Sequence, residues 1–520
     1  MGPVPMSSSE DCMKHSLVVQ PLPNAASDRD SADFGWRRAV LWTAALACLA
    51  GLAACALTSA GPGCAELPGA VSSLPGLRVT QSSAMPADDK SHPAHCLVQG
   101  QLGERTGVDG KRYAIGFEMR LPQAWNKRFL HQVNGGKDGV VKPAFGDLGV
   151  LATDALARGF AVISSDAGHP GEDLANAAAV WPVAQALIHR HYGEKPQRNY
   201  IAGCANGGHR AMVAAERYPD LYDGILAGAP GFSLPKAAAQ HAWDIQSWQR
   251  VDPDIGRAFS PADMKLVADQ VVARCDSLDF LVDGLIGDLK RCQTVFKLAD
   301  LQCSGSKTDA CLSATQVQAL DRSFAGPPKR RGETPYTDWP FDAGIGAVGW
   351  RSWKFNRDAA GTYAPDSLLP ASAMALMSPT EAADPTLAAL AKRGGKMIVY
   401  HGSSDPVFSV NDTLAWAERL QHKLGPQGAG AVARVFPVPG MGHCTEGPAT
   451  DEFDALGALV AWVEEGKAPV RIDARVRPGN RELPATWSKQ RSRPLCPWPQ
   501  VARYAGGDVE LASSFRCATP

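Results

Sequence analysis

The sequence predicts an α/β fold in which helices cover the faces of a parallel sheet and one large insertion interrupts that sheet. Between about residues 97 and 231, short apolar runs alternate with helical stretches, which is typical of a parallel sheet. This alternation stops near Phe232 and resumes after about residue 390. The residues between are irregular and rich in Trp, Asp, Pro and Cys, and an insertion at this position commonly acts as a lid.

The composition is that of a globular protein. The chain has 520 residues, of which 45% are hydrophobic and 20% charged, so it is long enough to bury a large core. Its formal net charge is −1. A nearly neutral chain gives no electrostatic reason to expect nucleic acid as a partner.

Residues 1–60 are predicted to be an N-terminal tail and export signal rather than part of the fold. The first 35 residues are polar and patternless, and Arg37 and Arg38 then precede an apolar stretch from Ala39 to Ala60. Positive residues followed by such a stretch are typical of export signals. The mature chain is therefore expected to be periplasmic or secreted.

More than one processing route fits this signal. The tripeptide ending at Ala60 fits a signal-peptidase site, whereas the tetrapeptide ending at Cys55 resembles a lipobox that would place a lipid on that cysteine. The Arg pair loosely resembles a twin-arginine signal. A retained membrane anchor is the remaining alternative, because the apolar stretch is long enough to span a bilayer.

The cysteine count agrees with export. Of 13 cysteines, Cys12, Cys48 and Cys55 fall in the first 60 residues, which leaves 13 − 3 = 10. An even number in an exported chain indicates disulfides. Close spacing suggests three local pairs, which are Cys275/Cys292, Cys303/Cys311 and Cys496/Cys517.

The elements of the sheet can be assigned in chain order. The predicted strands are Phe117–Leu121, Arg128–Val133, Phe160–Ser164, Asn199–Ala202, Asp223–Ala227, Lys396–Tyr400 and Ala433–Val438. The predicted helices are Leu174–His191, His209–Arg217 and Asp451–Glu465. Each catalytic candidate discussed below follows the end of one of these strands.

A strand, a tight glycine turn and a helix follow one another over Tyr200–Gly208. Glycines stand two residues either side of Ala205, which is the spacing of the nucleophile elbow, G-x-S-x-G. The central residue of that turn has a strained backbone, and its neighbours must be small for the turn to close. Ala205 therefore occupies the position of a nucleophilic serine and lacks the hydroxyl.

An acid and a base follow in the order that this elbow predicts. Asp405 comes directly after the predicted strand at 396–400, and His443 lies in the loop after the next strand. Asp405 would orient the imidazole of His443, which would act as general base. His401 and His169 are predicted to be structural.

The same turn predicts an oxyanion hole. One backbone N–H would come from Asn206, the residue after the nucleophile position. The second would come from the glycine loop after the strand at 128–133, and Gly136 is the candidate.

Taken together, these motifs resemble the tannase/feruloyl esterase family of α/β-hydrolases. The matching stretches are 203–208, 227–231, 401–406, 442–444 and the aspartate-rich segment at 276–288. The resemblance extends from about residue 64 to the C-terminus. It implies an α/β-hydrolase domain formed by residues 61–231 and 391–520, with a lid domain at 232–390.

The resemblance also implies a set of disulfides. In this family a disulfide joins the cysteines next to the catalytic serine and histidine, and Cys204 and Cys444 occupy those places. The remaining implied pairs are Cys64–Cys96, Cys275–Cys292, Cys303–Cys311 and Cys496–Cys517.

A calcium ion is expected in the lid. The loop from Cys275 to Asp288 spaces carboxylates closely around glycines, and hard oxygen ligands at such spacing suit Ca²⁺. By resemblance the ligands are Asp276, Asp279 and Asp283 with the backbone oxygens of Leu281 and Leu285. The family usually has Gly where this chain has Phe280.

The resemblance implies a carboxylic ester hydrolase that acts on small-molecule aromatic esters of the hydroxybenzoate or hydroxycinnamate type. Ala205 leaves four accounts open. The alanine is a sequence variant of an active enzyme, or the protein is a pseudo-hydrolase that binds an aromatic ester or acid. Alternatively His443 activates water directly, or the chain kept the fold for an unrelated role.

Overall fold

A mixed sheet of nine strands forms the centre of the molecule. The computed structural model describes residues 63–88, 92–107, 110–135, 140–166, 175–328, 336–357 and 385–520. The strands are β1 (Leu77–Met85), β2 (His95–Thr106), β3 (Arg112–Pro122), β4 (Arg128–Val133), β5 (Ala161–Ser165), β6 (Arg198–Cys204), β7 (Gly224–Gly228), β8 (Lys396–Gly402) and β9 (Ala433–Val438). They lie in the order β1-β2-β3-β5-β4-β6-β7-β8-β9.

The sequence pattern predicts a parallel sheet, but only part of the observed sheet is parallel. The six strands from β5 to β9 in the sheet order pair in parallel, whereas β1, β2 and β3 form an antiparallel meander, and β3 pairs antiparallel with β5. The connection from β2 to β3 explains why these two strands are antiparallel. Only five residues separate them, and parallel neighbours need a crossover of a dozen or more residues.

Helices flank the sheet and build the insertion. Their bounds are α1 (Leu67–Ala70), α2 (Ala175–Tyr192), α3 (Asn206–Arg217), α4 (Leu234–Trp248), α5 (Pro261–Cys275), α6 (Leu289–Val295), α7 (Ala314–Ala325), α8 (Val348–Lys354), α9 (Ala388–Lys392), α10 (Val410–Val432) and α11 (Ala455–Glu465). Helix α10 contains a kink at Gly425, where φ is 71° and Pro426 follows.

Two helix starts differ from the sequence prediction. Helix α3 starts at Asn206, three residues before the expected His209, because it follows the elbow directly. Helix α11 starts at Ala455 rather than Asp451, and the side chain of Asp454 caps it by accepting the N–H of Gly457. The two residues before that cap, Glu452–Phe453, form a short strand instead.

Hydrophobic residues cover both faces of the parallel strands. Along β4, Phe129 and Val133 face one core cluster while Leu130 faces the other, since successive side chains of a strand point to opposite sides. Strand β8 follows the same rule with Met397 and Ile398. Burial on both faces explains why these strands read as unbroken apolar runs in the sequence.

The insertion has a core of its own. Helices α4, α5, α7 and α8 bury a cluster that includes the fully buried Trp248 and Phe259. The same cluster reaches Ala205 and Phe408, so the insertion packs against the catalytic end of the sheet. The division of the chain at 232–390 into a separate lid domain stays a prediction.

The C-terminal residues form two small sheets. One contains β10 (Glu452–Phe453), β11 (Ile472–Arg475) and β12 (Ser492–Leu495), and the other pairs β13 (Val501–Tyr504) with β14 (Phe515–Ala518). Five disulfides are present in the described part of the chain: Cys64–Cys96, Cys204–Cys444, Cys275–Cys292, Cys303–Cys311 and Cys496–Cys517. The three closely spaced pairs are among them.

Within the described residues, no helix has both the length and the apolar character needed to cross a bilayer. The predicted export signal, the lipid site at Cys55 and the alternative membrane anchor all fall on residues 1–60, which lie outside the described part of the chain.

Candidate active site

Ala205 lies at a sharp turn between β6 and α3. Its backbone has φ 60° and ψ −121°, a conformation that residues with a side chain rarely adopt. The turn is held by a hydrogen bond from the Ala205 N–H to the carbonyl of Gly228. Such local strain persists only where surrounding structure enforces it, and it is common at functional sites.

The glycines around Ala205 are required by close packing against β4. A Cβ atom at Gly203 would lie 2.3 Å from the carbonyl oxygen of Val133, and one at Gly207 would lie 2.1 Å from the same oxygen. At Gly208 a Cβ would lie 2.2 Å from the carbonyl oxygen of Gly228. Side chains at these positions would push the elbow away from the sheet, so the turn keeps the geometry of a nucleophile elbow although the nucleophile is absent.

Asp405 and His443 form a hydrogen-bonded pair. Asp405 follows β8, His443 follows β9, and the His443 Nδ1–H donates to Asp405 Oδ2 over 2.8 Å. The other carboxylate oxygen accepts the backbone N–H groups of Val407 and Phe408. Asp405 is buried, whereas the His443 side chain is 26% exposed, so the base reaches the solvent side of the site.

Burial by itself would raise the pKa of Asp405, but the positive potential of His443 and the hydrogen bonds from His401 and His443 outweigh it and hold the pKa well below its usual range. The carboxylate is therefore ionised at neutral pH. An ionised acceptor fixes the proton of His443 on Nδ1, which leaves Nε2 free to act as a base.

A disulfide ties the elbow to the base loop. Cys204 immediately precedes Ala205, Cys444 immediately follows His443, and their Cα atoms are 6.1 Å apart. This bond spans 240 residues of sequence. It keeps the nucleophile position and the base within one rigid unit.

Only one of the two predicted oxyanion donors lies within the described residues. Asn206 is the first residue of α3. The N–H groups of a first helical turn point out of the N-terminal end of the helix, where they can bind an anion. Gly136 lies outside the described residues. Its neighbour Gly135 packs against the elbow, since a Cβ there would lie 2.6 Å from the Cys204 carbonyl oxygen.

His401 has a contact that sequence reasoning did not anticipate. Its Nε2 lies 3.3 Å from Asp405 Oδ2 and 3.0 Å from the carbonyl oxygen of Phe408, while Nδ1 lies 2.8 Å from the Thr413 hydroxyl. Since both partners of Nε2 only accept, that nitrogen carries a proton. The buried His401 thus adds a donor beside the acid. In the sequence, the only signal of this contact is that His401 and Asp405 are four residues apart at the end of β8. His169, the other histidine predicted to be structural, lies outside the described residues.

In the predicted calcium loop, the carboxylates of Asp276 and Asp283 already have hydrogen-bond or ion-pair partners. Asp276 accepts the N–H groups of Asp283 and Gly284, and Asp283 is held by Arg493 in a buried ion pair. Burial and the charge of Asp283 raise the pKa of Asp279 to about 7.

No group of three or more carboxylate, imidazole or thiol side chains in the described part of the chain is arranged to hold a metal ion. The carboxylate oxygens of the loop are of the kind that Ca²⁺ prefers, and the calcium site, with the oxygens of Leu281 and Leu285, stays a prediction. Phe280, where the family usually has Gly, has φ 76°, the left-handed conformation that glycine adopts most easily.

The chain is similar to known esterases over most of its length. The family model described as "Tannase and feruloyl esterase" matches residues 96–367 and 341–518. The mono(2-hydroxyethyl) terephthalate hydrolase of Piscinibacter sakaiensis is 36% identical over an alignment that covers 91% of this chain and 92% of that protein. A probable feruloyl esterase B-1 of Aspergillus fumigatus is 27% identical and aligns with 77% of this chain and 82% of its own length.

Solved structures share the fold. An esterase from Aspergillus oryzae superimposes with a TM-score of 0.73 at 22% identity, covering 88% of this chain and all of that one. Feruloyl esterase B from the same organism gives a TM-score of 0.69 at 22% identity, covering 87% of this chain. The fold is therefore that of an α/β-hydrolase, and the chain belongs to the tannase and feruloyl esterase family of carboxylic ester hydrolases.

Proposed function

We propose that this protein recognises aromatic carboxylic esters and that Asp405 and His443 promote their hydrolysis by water. The observation that carries the proposal is the 2.8 Å contact between His443 Nδ1 and Asp405 Oδ2 beside an elbow whose central residue is Ala205. A methyl group cannot attack a carbonyl carbon, so any covalent acyl-enzyme route is closed. The base and its orienting acid retain the geometry that activates a hydroxyl group.

The reaction follows from the protonation state of the base. Nε2 of His443 removes a proton from water as the water oxygen attacks the ester carbonyl carbon. The N–H of Asn206 would stabilise the oxyanion, with that of Gly136 as the second expected donor. The C–O bond to the alcohol then breaks, and His443 returns its proton to the leaving alkoxide. The products are the carboxylic acid and the alcohol.

The aromatic substrate class is supported by the names of two relatives, since terephthalate and ferulate are both aromatic acids. The tryptophans of the insertion support it only in part. Trp248, Trp339 and Trp350 are buried, so they serve packing. Trp353 is 46% exposed on α8 and has a face that an aromatic ring could stack against.

Binding without turnover is the second candidate function, and Ala205 itself favours it. Loss of the nucleophile in a serine hydrolase costs up to about 10⁶-fold in kcat, and what remains comes from the oxyanion hole and binding. A protein with this site would hold an aromatic ester or acid and release it unchanged.

The experiment compares the natural chain with Ala205→Ser on methyl esters of ferulic, gallic and hydroxybenzoic acids, with an alkanoate ester as the non-aromatic control. The serine variant should gain at least about 10³-fold in kcat on the aromatic esters, because the elbow already holds a Cβ at this position. His443→Ala, introduced in both backgrounds, is the matched control and should abolish each activity.

The outcomes separate the two candidates. Slow turnover by the natural chain that His443→Ala removes supports water activation. Saturable binding without turnover, together with an active Ala205→Ser variant, supports the binding function. An inactive serine variant that is correctly folded would rule out the esterase assignment of the site.

Export is a further proposal, which the five disulfides support because such bonds persist mainly outside the cytoplasm. Mass spectrometry of the chain purified from its natural host would show cleavage after Ala60, a lipid on Cys55 or a retained N-terminus.

A further inference from the structure

A segment of the insertion, residues 336–344, runs along the loop that carries Asp405. This segment is called the strap below. The Trp339 indole N–H donates to the carbonyl oxygen of Asp405 over 2.9 Å. The Ser409 N–H donates to the Tyr336 hydroxyl over 3.1 Å, so the strap contacts the acid loop on both sides of Val407.

Asp342 lies at the end of the strap and joins the two catalytic loops. Its Oδ2 accepts the hydroxyl of Ser404 over 2.7 Å and the N–H of Gly440 over 2.9 Å. Ser404 is the residue before Asp405, and Gly440 lies three residues before His443. One carboxylate oxygen of the insertion therefore contacts both the acid loop and the base loop.

The surroundings of Asp342 are closely packed. The side chain is fully buried, and its Oδ1 has no hydrogen-bond partner among the described residues. The Gly344 N–H donates to the Ser404 hydroxyl oxygen over 2.9 Å, and a Cβ at Gly344 would lie 2.5 Å from that of Ser404. Burying a carboxylate with one unsatisfied oxygen costs free energy, so this arrangement is not one that stability alone favours.

Two backbone hydrogen bonds also join the catalytic loops. The Ser403 N–H donates to the Val438 carbonyl, and the Ser404 N–H donates to that of Met441. These bonds hold the bases of the loops. Asp342 is the side chain that spans them on the side of the insertion, next to the two residues whose separation sets the hydrogen bond between acid and base.

We infer that Asp342 is a positioning residue, which sets the distance between Asp405 and His443 by holding Ser404 and Gly440 on one carboxylate oxygen. The inference rests on the proposed role of Asp405 and His443 in ester hydrolysis. The insertion thereby contributes to the catalytic geometry. The acceptor oxygen, not the negative charge, performs this role.

Two substitutions of Asp342 distinguish the role of its acceptor oxygen from that of its negative charge. Asp342→Ala leaves the Ser404 hydroxyl and the Gly440 N–H without their acceptor, so the two loops can separate. Asp342→Asn keeps a carbonyl oxygen for both donors and places its amide nitrogen where Oδ1 has no described partner. Ser404→Ala is a milder variant that removes only the link to the acid loop.

Asp263→Ala is the matched control. Asp263 is also a buried aspartate of the insertion, and its carboxylate contacts Ser260, Lys307 and Gln316, all within the insertion. Its loss should destabilise the insertion without moving the catalytic loops. A general structural role for buried aspartates would therefore make the two alanine variants behave alike.

The first measurement uses the natural chain and does not depend on turnover. Proton NMR should show a downfield signal for the His443 Nδ1–H that donates to Asp405, assigned by its loss in His443→Ala. We expect Asp342→Ala and Ser404→Ala to lose or broaden this signal, and Asp342→Asn and Asp263→Ala to retain it.

The second measurement is kinetic and uses the Ala205→Ser background. A displacement of about 1 Å costs on the order of 10²-fold in rate, so Asp342→Ala should lower kcat by about that factor while KM changes little. Asp342→Asn should restore most of the lost turnover. If Asp342→Ala keeps both the signal and the kcat of Asp263→Ala, Asp342 is merely structural and the inference is wrong.

Two further outcomes are informative. If the asparagine variant loses as much as the alanine variant, the acceptor oxygen is not what positions the loops, and the inference fails. If Asp342→Ala does not fold, Ser404→Ala decides the question by the same signal. An inactive Ala205→Ser protein would remove the proposed esterase function but would leave the NMR result valid as a test of positioning.

Discussion

Removing the disulfide between Cys204 and Cys444 should cost more stability than removing any short-range disulfide of this chain. A disulfide stabilises largely by restricting the unfolded chain, and the restriction grows with the enclosed loop. For a separation of 240 residues the loop-entropy relation gives about 5.5 kcal/mol. For Cys303–Cys311, with a separation of 8, it gives about 2.5 kcal/mol.

The assay compares two double variants, Cys204→Ala/Cys444→Ala and Cys303→Ala/Cys311→Ala, by thermal unfolding followed by circular dichroism. The described residues lie between 63 and 520, and at about 2 cal/mol/K per residue the unfolding entropy of this part of the chain is about 1 kcal/mol per °C. We expect Tm to fall by about 6 °C for the long-range pair and by about 2–3 °C for the short one. Equal losses, or a larger loss for the short pair, would refute the loop-entropy argument and locate the effect of the long disulfide in the native state.

Three further predictions concern packing, pH and metal. Gly207→Ala should lower the free energy of unfolding by about 3 kcal/mol, because its Cβ would lie 2.1 Å from the Val133 oxygen. Gly430→Ala is the control and should change this free energy little, because the space around Gly430 is open. Chemical denaturation measures both. Burial, with a smaller contribution from Arg210, lowers the pKa of His131 from 6.5 to about 3. The unfolded chain therefore binds an extra proton below pH 6.5, and between pH 7 and pH 5 about 2 kcal/mol of stability should be lost that a His131→Asn variant keeps. Calcium at 100 times its Kd should stabilise the protein by about 2.7 kcal/mol. A chelator should reverse this stabilisation, and the Asp279→Asn variant should not show it. If calcium leaves Tm unchanged, the predicted site is wrong.

The sequence was most informative where local rules decide structure. The parallel strands were visible as apolar runs because both of their faces are buried, and the elbow was visible because Gly203 and Gly207 face a carbonyl oxygen that admits no side chain. The antiparallel meander was harder to assign. Strands β1 and β2 have mixed burial along their length, so their apolar pattern is weak.

The site was predictable in its chain order but not in its surroundings. Asp405 and His443 each follow a strand that has a clear pattern, and chain order suggested their roles. The contacts of His401 and Asp342 were not predictable in this way, because they depend on how the insertion folds back on the sheet. Asp342 meets Ser404 across 62 residues of sequence, and no local spacing reports such a contact.

The elbow also has an evolutionary consequence. Its tight glycines and its left-handed central residue are retained around Ala205, so the backbone that a nucleophile requires does not have to be rebuilt. Every alanine codon becomes a serine codon by changing its first base from G to T. The distance from this protein to one with a complete triad is therefore a single nucleotide, and gain or loss of the hydroxyl is accessible in one mutational step.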